Sequence, residues 1–197
     1  MPRAKLRTPE LRDRVLHAAV TMLAEEGVVG FTARKVATAA STSVPAVYEL
    51  FGDKAGLVRE VYFEGFRHLG RALAATGRTD DPRADLTGLL AAFRIFVREH
   101  PVLADVMFSR PFADFDPGPA ELRATASVRT LITGHVQRCV DAGQLAGDPT
   151  DIAHVLLALA QGLAAQETAG WLGRSAATRD RRWSLAVRAA FAGLGPA

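Results

Sequence analysis

Thr32-Ala33-Arg34-Lys35-Val36-Ala37-Thr38-Ala39-Ala40-Ser41-Thr42-Ser43-Val44-Pro45-Ala46-Val47-Tyr48 is the stretch on which the reading of this chain turns. Thr32 is placed to cap a short helix that carries Val36 and Ala37 inward. Ser41-Thr42-Ser43 is a polar break, and Ser43 caps a second short helix from Val44 to Leu50 with Val47 turned inward. Pro45 falls in the first turn, where the N–H it lacks would have no helical partner. Small residues at Ala37, Ala39 and Ala40 let the two helices approach closely. One helix braced by another across a tight turn is the arrangement that enters the major groove of DNA. The N–H groups at the start of the Ser43-capped helix then face outward, where phosphates would lie.

Working outward, the punctuation is helical throughout. Thr8-Pro9-Glu10 offers an N-cap, a proline at the first helical position and an acid in the first turn. Val15, Leu16, Ala19, Met22 and Leu23 follow at helical spacing, and Gly27 ends the run. Gly52-Asp53 resets the chain, with Asp53 capping a long helix that carries Leu57, Val58, Val61, Phe66 and Leu69. After a loop from Thr76 to Asp81, Asp81-Pro82 opens a helix through Leu89, Leu90, Phe93, Phe96 and Val97 that stops before Pro101. A short helix from Val102 to Phe108 leads into a proline-rich loop, Pro111 to Pro119. Helices over about 119–142, 149–169 and 178–192 complete the chain. Valines and isoleucines recur at helical intervals rather than in alternation, so the expectation is an all-α fold of about nine helices.

The bulk numbers set limits. At 197 residues and 49% hydrophobic with 23% charged, the chain has the make-up of a folded globular protein. The lone Cys139 excludes an internal disulfide and any cysteine-built metal site. No apolar run follows the basic start, and the most apolar stretch, Ala153 to Ala165, is too short for a bilayer and carries His154 and Gln161. The expectation is a cytoplasmic protein with no membrane partner and no cofactor. A net charge of +3 is only a weak pointer to an anionic partner. The one basic concentration is the first fourteen residues, five positive against two negative. There Arg3, Lys5 and Arg7 form either an arm for the minor groove or a solvated tail.

Phe31-Thr32-Ala33-Arg34-Lys35-Val36-Ala37, Pro45-Ala46-Val47-Tyr48 and Phe51-Gly52-Asp53-Lys54-Ala55-Gly56-Leu57 together resemble the TetR family of transcriptional repressors. Val15-Leu16-His17-Ala18-Ala19 and Leu23-Ala24-Glu25-Glu26-Gly27 extend the likeness upstream, so that it is continuous over about residues 11–58. The resemblance implies a helix-turn-helix DNA-binding domain over residues 1–55. A helical regulatory, ligand-binding and dimerisation domain would follow over 56–197. It implies that Thr32 caps its helix and touches a phosphate. Arg34 would reach a guanine edge or a phosphate, and Ser43, Val44, Pro45 and Ala46 would face the major-groove bases. Tyr48 and Lys54 would contact further phosphates. The other readings stay open: Tyr48 packed on the core, Lys54 and Arg34 as solvated charges. Ser41 stands where the family's turn has glycine, so the turn must manage without a residue that enters positive φ freely, or bend differently. Val44, Pro45 and Ala46 offer no side-chain hydrogen bonds, which shifts specificity towards thymine methyls, Arg34 and DNA shape.

The same resemblance implies pairing through the last two helices. Ile152, Val155, Leu156, Leu159 and Leu163 make an apolar stripe, and Ala158, Gly162 and Ala165 or Gln166 look towards another face. A stripe wider than one core needs suits a second subunit, with Leu159, Gly162 and Leu163 at the dimer contact. An ordinary buried helix is the alternative. A ligand cavity is implied too, and Phe93, Phe96, Met107, Phe108, Phe112, Phe115 and Trp171 are candidates to wall it. Core packing is the competing account of each, and Phe112 and Phe115 suit a lid.

The expectation is therefore a ligand-responsive repressor that binds a palindromic operator as a homodimer and is released by a small apolar or amphipathic effector. His17, His68, His100, His135 and His154 include no helical metal pair, and no phosphate loop or nucleophile elbow appears. No catalytic or metal residue is nominated. The alternatives are a helical interaction module whose DNA-binding domain has degenerated, and an enzyme with a site assembled from distant residues.

Overall fold

The computed structural model describes residues 8–108 and 118–196. Arg3, Lys5, Arg7, Phe112 and Phe115 lie outside the described residues, and with them the arm and the lid. Nine helices and no strand occur among the described residues: α1 (Pro9–Gly30), α2 (Ala33–Ala39), α3 (Val44–Phe51), α4 (Lys54–Ala74), α5 (Pro82–Glu99), α6 (Pro101–Phe108), α7 (Pro119–Asp141), α8 (Pro149–Thr168) and α9 (Ala176–Gly193). The fold is all-α.

Helices begin where short polar side chains take up otherwise orphaned N–H groups. The Thr8 hydroxyl accepts from the Leu11 N–H and the Thr32 hydroxyl from Lys35, both at 3.3 Å. The Asp53 carboxylate accepts from the Gly56 N–H at 2.7 Å, and Asp81 accepts from Arg83 and Ala84 at 3.1 and 3.0 Å. α9 begins two residues before Thr178, the start expected from the sequence, because Ser175 is the cap and its Oγ accepts the Thr178 N–H at 3.2 Å. Gly27, at φ 67 and ψ −177, breaks the helical run of α1 as its position suggested.

The described residues form two compact units, 8–67 with 100–108 and 118–122, and 68–99 with 123–196. The first is centred on Val15, Ala19, Phe31, Val36, Val47, Leu57, Val58 and Val61, none of them accessible to solvent. α6 packs on α1 in this unit. Gly65 of α4 receives Met107 and Leu103, because a Cβ there would collide with both. The second unit packs α5 on α8 and α8 on α9, and Leu69, Leu73, Leu86 and Leu156 in its core are fully buried.

Candidate nucleic-acid interface

α2 ends in a turn that hands the chain to α3. The Thr42 N–H donates to the Ala37 carbonyl at 2.8 Å and the Ser41 N–H to Thr38 at 3.1 Å, which is the double bond of a Schellman cap. Its left-handed position falls on Ser41, at φ 53. The turn therefore manages without a residue that enters positive φ freely, and does not bend differently: Ser41, which carries a Cβ, adopts the conformation that glycine takes more cheaply.

The Ser43 hydroxyl accepts the Ala46 N–H at 3.4 Å, so α3 starts where its capping chemistry places it. Val47 is fully buried, and Ala46 and Phe51 are 6% and 8% exposed. Ala46 must therefore leave the expected base-facing set, since its methyl fills the space between helices. Pro45 is exposed and Val44 and Ser43 half-exposed, which leaves them towards solvent. Tyr48 is 43% exposed, so its ring is not consumed by the core. Glu49 is exposed one helical turn after Pro45 and shares its outward face. The sequence reading passed over this acid, although the spacing from Pro45 was there to reveal it.

Thr32 and Arg34 are exposed at the start of α2, and Arg34 has no carboxylate partner among the described residues. Its neighbour Lys35 is instead engaged by Glu26, which ties α2 to the end of α1. Lys54, at the start of α4, holds its ammonium 5.8 Å from the centre of the Phe31 ring. That contact links the start of α4 to the residue that precedes the Thr32 cap of α2. Arg12 also went unnoticed in the sequence. Its guanidinium pairs with Glu60 at 2.6 Å and lies 4.8 Å from the centre of the Phe51 ring, bracing the end of α3 from α1 and α4.

The candidate ligand residues are divided between the two units. Phe93 and Phe96 are 1% and 3% exposed in the second unit. Met107 and Phe108 belong to the first, where Phe108 meets Phe66 edge-on at 5.8 Å. Trp171 is 74% exposed beyond the end of α8, so it does not wall an interior cavity. On α8 the apolar positions divide. Ile152, Ala153, Leu156, Ala160 and Ala164 are buried, whereas Val155 is 52% exposed. Leu159 and Leu163 are half-exposed and Gly162 is exposed beside it. Leu185 on α9 is 58% exposed.

Among the described residues no cluster of acids, histidines and cysteines could hold a metal, and no helix is long and apolar enough to cross a membrane. Helical throughout, with a capped short helix turned outward beside exposed α2, the molecule has the make-up of a DNA-binding transcription regulator. Residues 15–61 match the family described as bacterial regulatory proteins, tetR family, and residues 86–190 match the tetracyclin repressor-like C-terminal domain. The chain belongs to the TetR family, whose fold is that of a ligand-responsive transcriptional regulator. No curated protein matches it in sequence.

Solved structures agree. A protein of unknown function from Rhodococcus sp. RHA1 is 25% identical and superposes with a TM-score of 0.84 over 98% of this chain and 100% of its own. A tetR-family regulatory protein from Rhodococcus RHA1, 19% identical, gives 0.73 over 96% and 100%. A structure concerned with the molecular basis for control of antibiotic production by bacterial hormones is 25% identical, with a TM-score of 0.73 and the same coverages.

Proposed function

We propose that this chain is a transcriptional repressor that binds a palindromic operator as a homodimer and is released by a small apolar or amphipathic effector. The observation that carries the reading is the outward row of α3. Pro45 and Tyr48 are exposed on α3 and Arg34 on α2, and both helices start at side-chain caps, Thr32 and Ser43. Thr32, Tyr48 and Lys54 hold phosphates and fix register. Arg34, Ser43, Val44 and Pro45 meet the bases, with Val44 and Pro45 limited to methyl contacts and groove shape.

Two such helices must stand about 34 Å apart to meet successive half-sites. The uncovered Val155, Leu159, Gly162 and Leu163 of α8 and Leu185 of α9 are the surface for that pairing. In functional terms the DNA-binding part is residues 1–55 and the regulatory part residues 56–197. The likeness to the structure concerned with bacterial hormones supports a diffusible small molecule as effector. Phe93 and Phe96 are the interior aromatics offered for its pocket.

The test is a gel shift on DNA from just upstream of the chain's own gene. Specific binding that weakens steeply with salt is expected. Arg34→Ala should lower affinity about tenfold, and Tyr48→Phe a few-fold with little change in sequence preference. Unchanged affinity in both variants would remove these assignments. Glu49 on the outward row and the apolar 44–46 segment favour a second reading, an interaction module without operator specificity. Weak, sequence-blind binding in the same assay would select it.

A further inference from the structure

α5 and α9 enclose a groove of about 510 Å³ on the second unit, a volume in the small-molecule range. It lies on the other side of α5 from the buried Phe93 and Phe96, and on a different flank of α9 from Leu185. Its walls carry four arginines, Arg83, Arg94, Arg98 and Arg188, and no acidic side chain.

The arginines are not equivalent. Arg94 is consumed by structure: it donates to Glu167 through Nε and Nη2 at 2.6 and 2.9 Å, and its Nη2 lies 2.8 Å from Asp180. Arg98 leans on the same Glu167 from 3.8 Å. Neither Arg83 nor Arg188 has a carboxylate partner among the described residues. Asp81, close to Arg83 in sequence, is turned to cap α5. The groove thus keeps unneutralised positive charge at one end.

That end is also shaped. The Arg83 guanidinium lies 5.1 Å from the centre of the Phe191 ring, which orients its planar fork before any ligand arrives. Away from it Ala91, Val187 and, at 50% exposure, Ile95 make an apolar strip, flanked at its far end by Arg94 and Arg98, whose charges are met by Glu167 and Asp180. Cations at one end of a concave apolar track are complementary to one kind of molecule. We propose that the α5–α9 groove is a binding site for a small amphipathic anion. Its carboxylate or phosphate head is held by Arg83 and Arg188, and its apolar body lies along Ala91 and Val187 towards Ile95.

Trp183 lines the groove and Trp171 is the only other tryptophan, so Trp171→Phe leaves a single reporter. The full chain carrying that change is titrated with sodium decanoate, decyl phosphate, decanol and inorganic phosphate below micelle-forming concentrations. A saturable change in Trp183 emission is expected with decanoate or decyl phosphate, and whichever binds more tightly identifies the head group. Arg83→Gln and Arg188→Gln should each weaken it about tenfold, as loss of a charged hydrogen bond does. Arg188 makes no described contact that its removal could unfold, so Arg188→Gln serves alone if Arg83→Gln is unstable. The proposal is overturned by the absence of a saturable response to either anion, by an equal response to decanol, or by affinity unchanged in the arginine variants. The titration uses no DNA, so its failure is separate from a failure of operator binding.

Discussion

The unit that carries α2 and α3 and the unit that carries α5, α8 and α9 put their polar side chains to different uses. In the first, caps bridge residues three apart, and the described ion pairs lie at the surface: Arg12 with Glu60 at 38% and 24% side-chain exposure, Lys35 with Glu26 at 49% and 36%. In the second, carboxylates are taken inside and shared between distant segments. Glu167, its side chain 6% exposed, receives Arg94 and lies 3.4 Å from Arg179. Asp85 accepts from the Thr79 N–H at 2.8 Å, from its hydroxyl at 2.7 Å and from Arg138 at 2.5 Å, and Arg138 also donates to the Thr79 carbonyl. Exposed pairs contribute little, whereas a buried charge stripped of its partner is costly. The DNA-facing unit can therefore change surface charges without losing its frame. The second unit hangs the alignment of its helices on a few charges that cannot be changed singly.

Glu167→Ala tests that contrast most severely. It strands Arg94, whose side chain is 11% exposed, with Asp180 alone. A loss of about 2–4 kcal/mol is expected from urea unfolding. Glu60→Ala, which breaks the surface pair with Arg12, should cost less than about 1 kcal/mol. Equal costs would abolish the distinction between the units.

Acid probes the same distinction at Asp85. The Thr79 N–H first, then the Arg138 guanidinium, lower its pKa to about 2 from the ordinary 3.8. Because the folded state holds the carboxylate ionised, this stabilisation is complete above pH 4 and is lost as pH falls towards 2. Unfolding midpoints measured across that window should fall, and Asp85→Asn should flatten part of the fall. A wild-type slope retained in Asp85→Asn would assign it to other carboxylates.

This difference between local and long-range polar contacts also decided what could be read in advance. Thr8, Thr32, Ser43 and Asp53 announce themselves because a cap and its N–H lie within one turn, so the helix-turn-helix was legible nearly residue by residue. The side on which Ala46 falls was not, because alanine suits a groove face and a close helix crossing equally well. Asp85 and Arg138, or Arg94 and Glu167, are joined across more than fifty residues, and no spacing rule connects them. Trp171 misled for a related reason. Its size suggests a core, but the chain turns at Gly170, φ 78, and leaves the ring outside. The four arginines of the α5–α9 groove, Arg83, Arg94, Arg98 and Arg188, come from two helices far apart in sequence and were brought together only when the helices packed.

The turn between α2 and α3 offers the smallest and most local test. Ser41 holds φ 53 inside a Schellman cap whose two hydrogen bonds need only backbone atoms. For a residue with a Cβ that conformation costs about 1–2 kcal/mol, and glycine relieves it while giving back about 0.5–1 kcal/mol of unfolded-state entropy. Ser41→Gly should therefore stabilise the protein by roughly 0.5–1 kcal/mol, a rise in midpoint temperature of about 1–4 °C for a chain of this size. Operator affinity should stay the same, since Ser41 precedes the cap of α3 and the backbone path is unchanged. A gain in stability with a loss of affinity would mean that the Ser41 hydroxyl itself reaches DNA. A loss of stability would mean that it supports the turn in a way its backbone angles do not reveal.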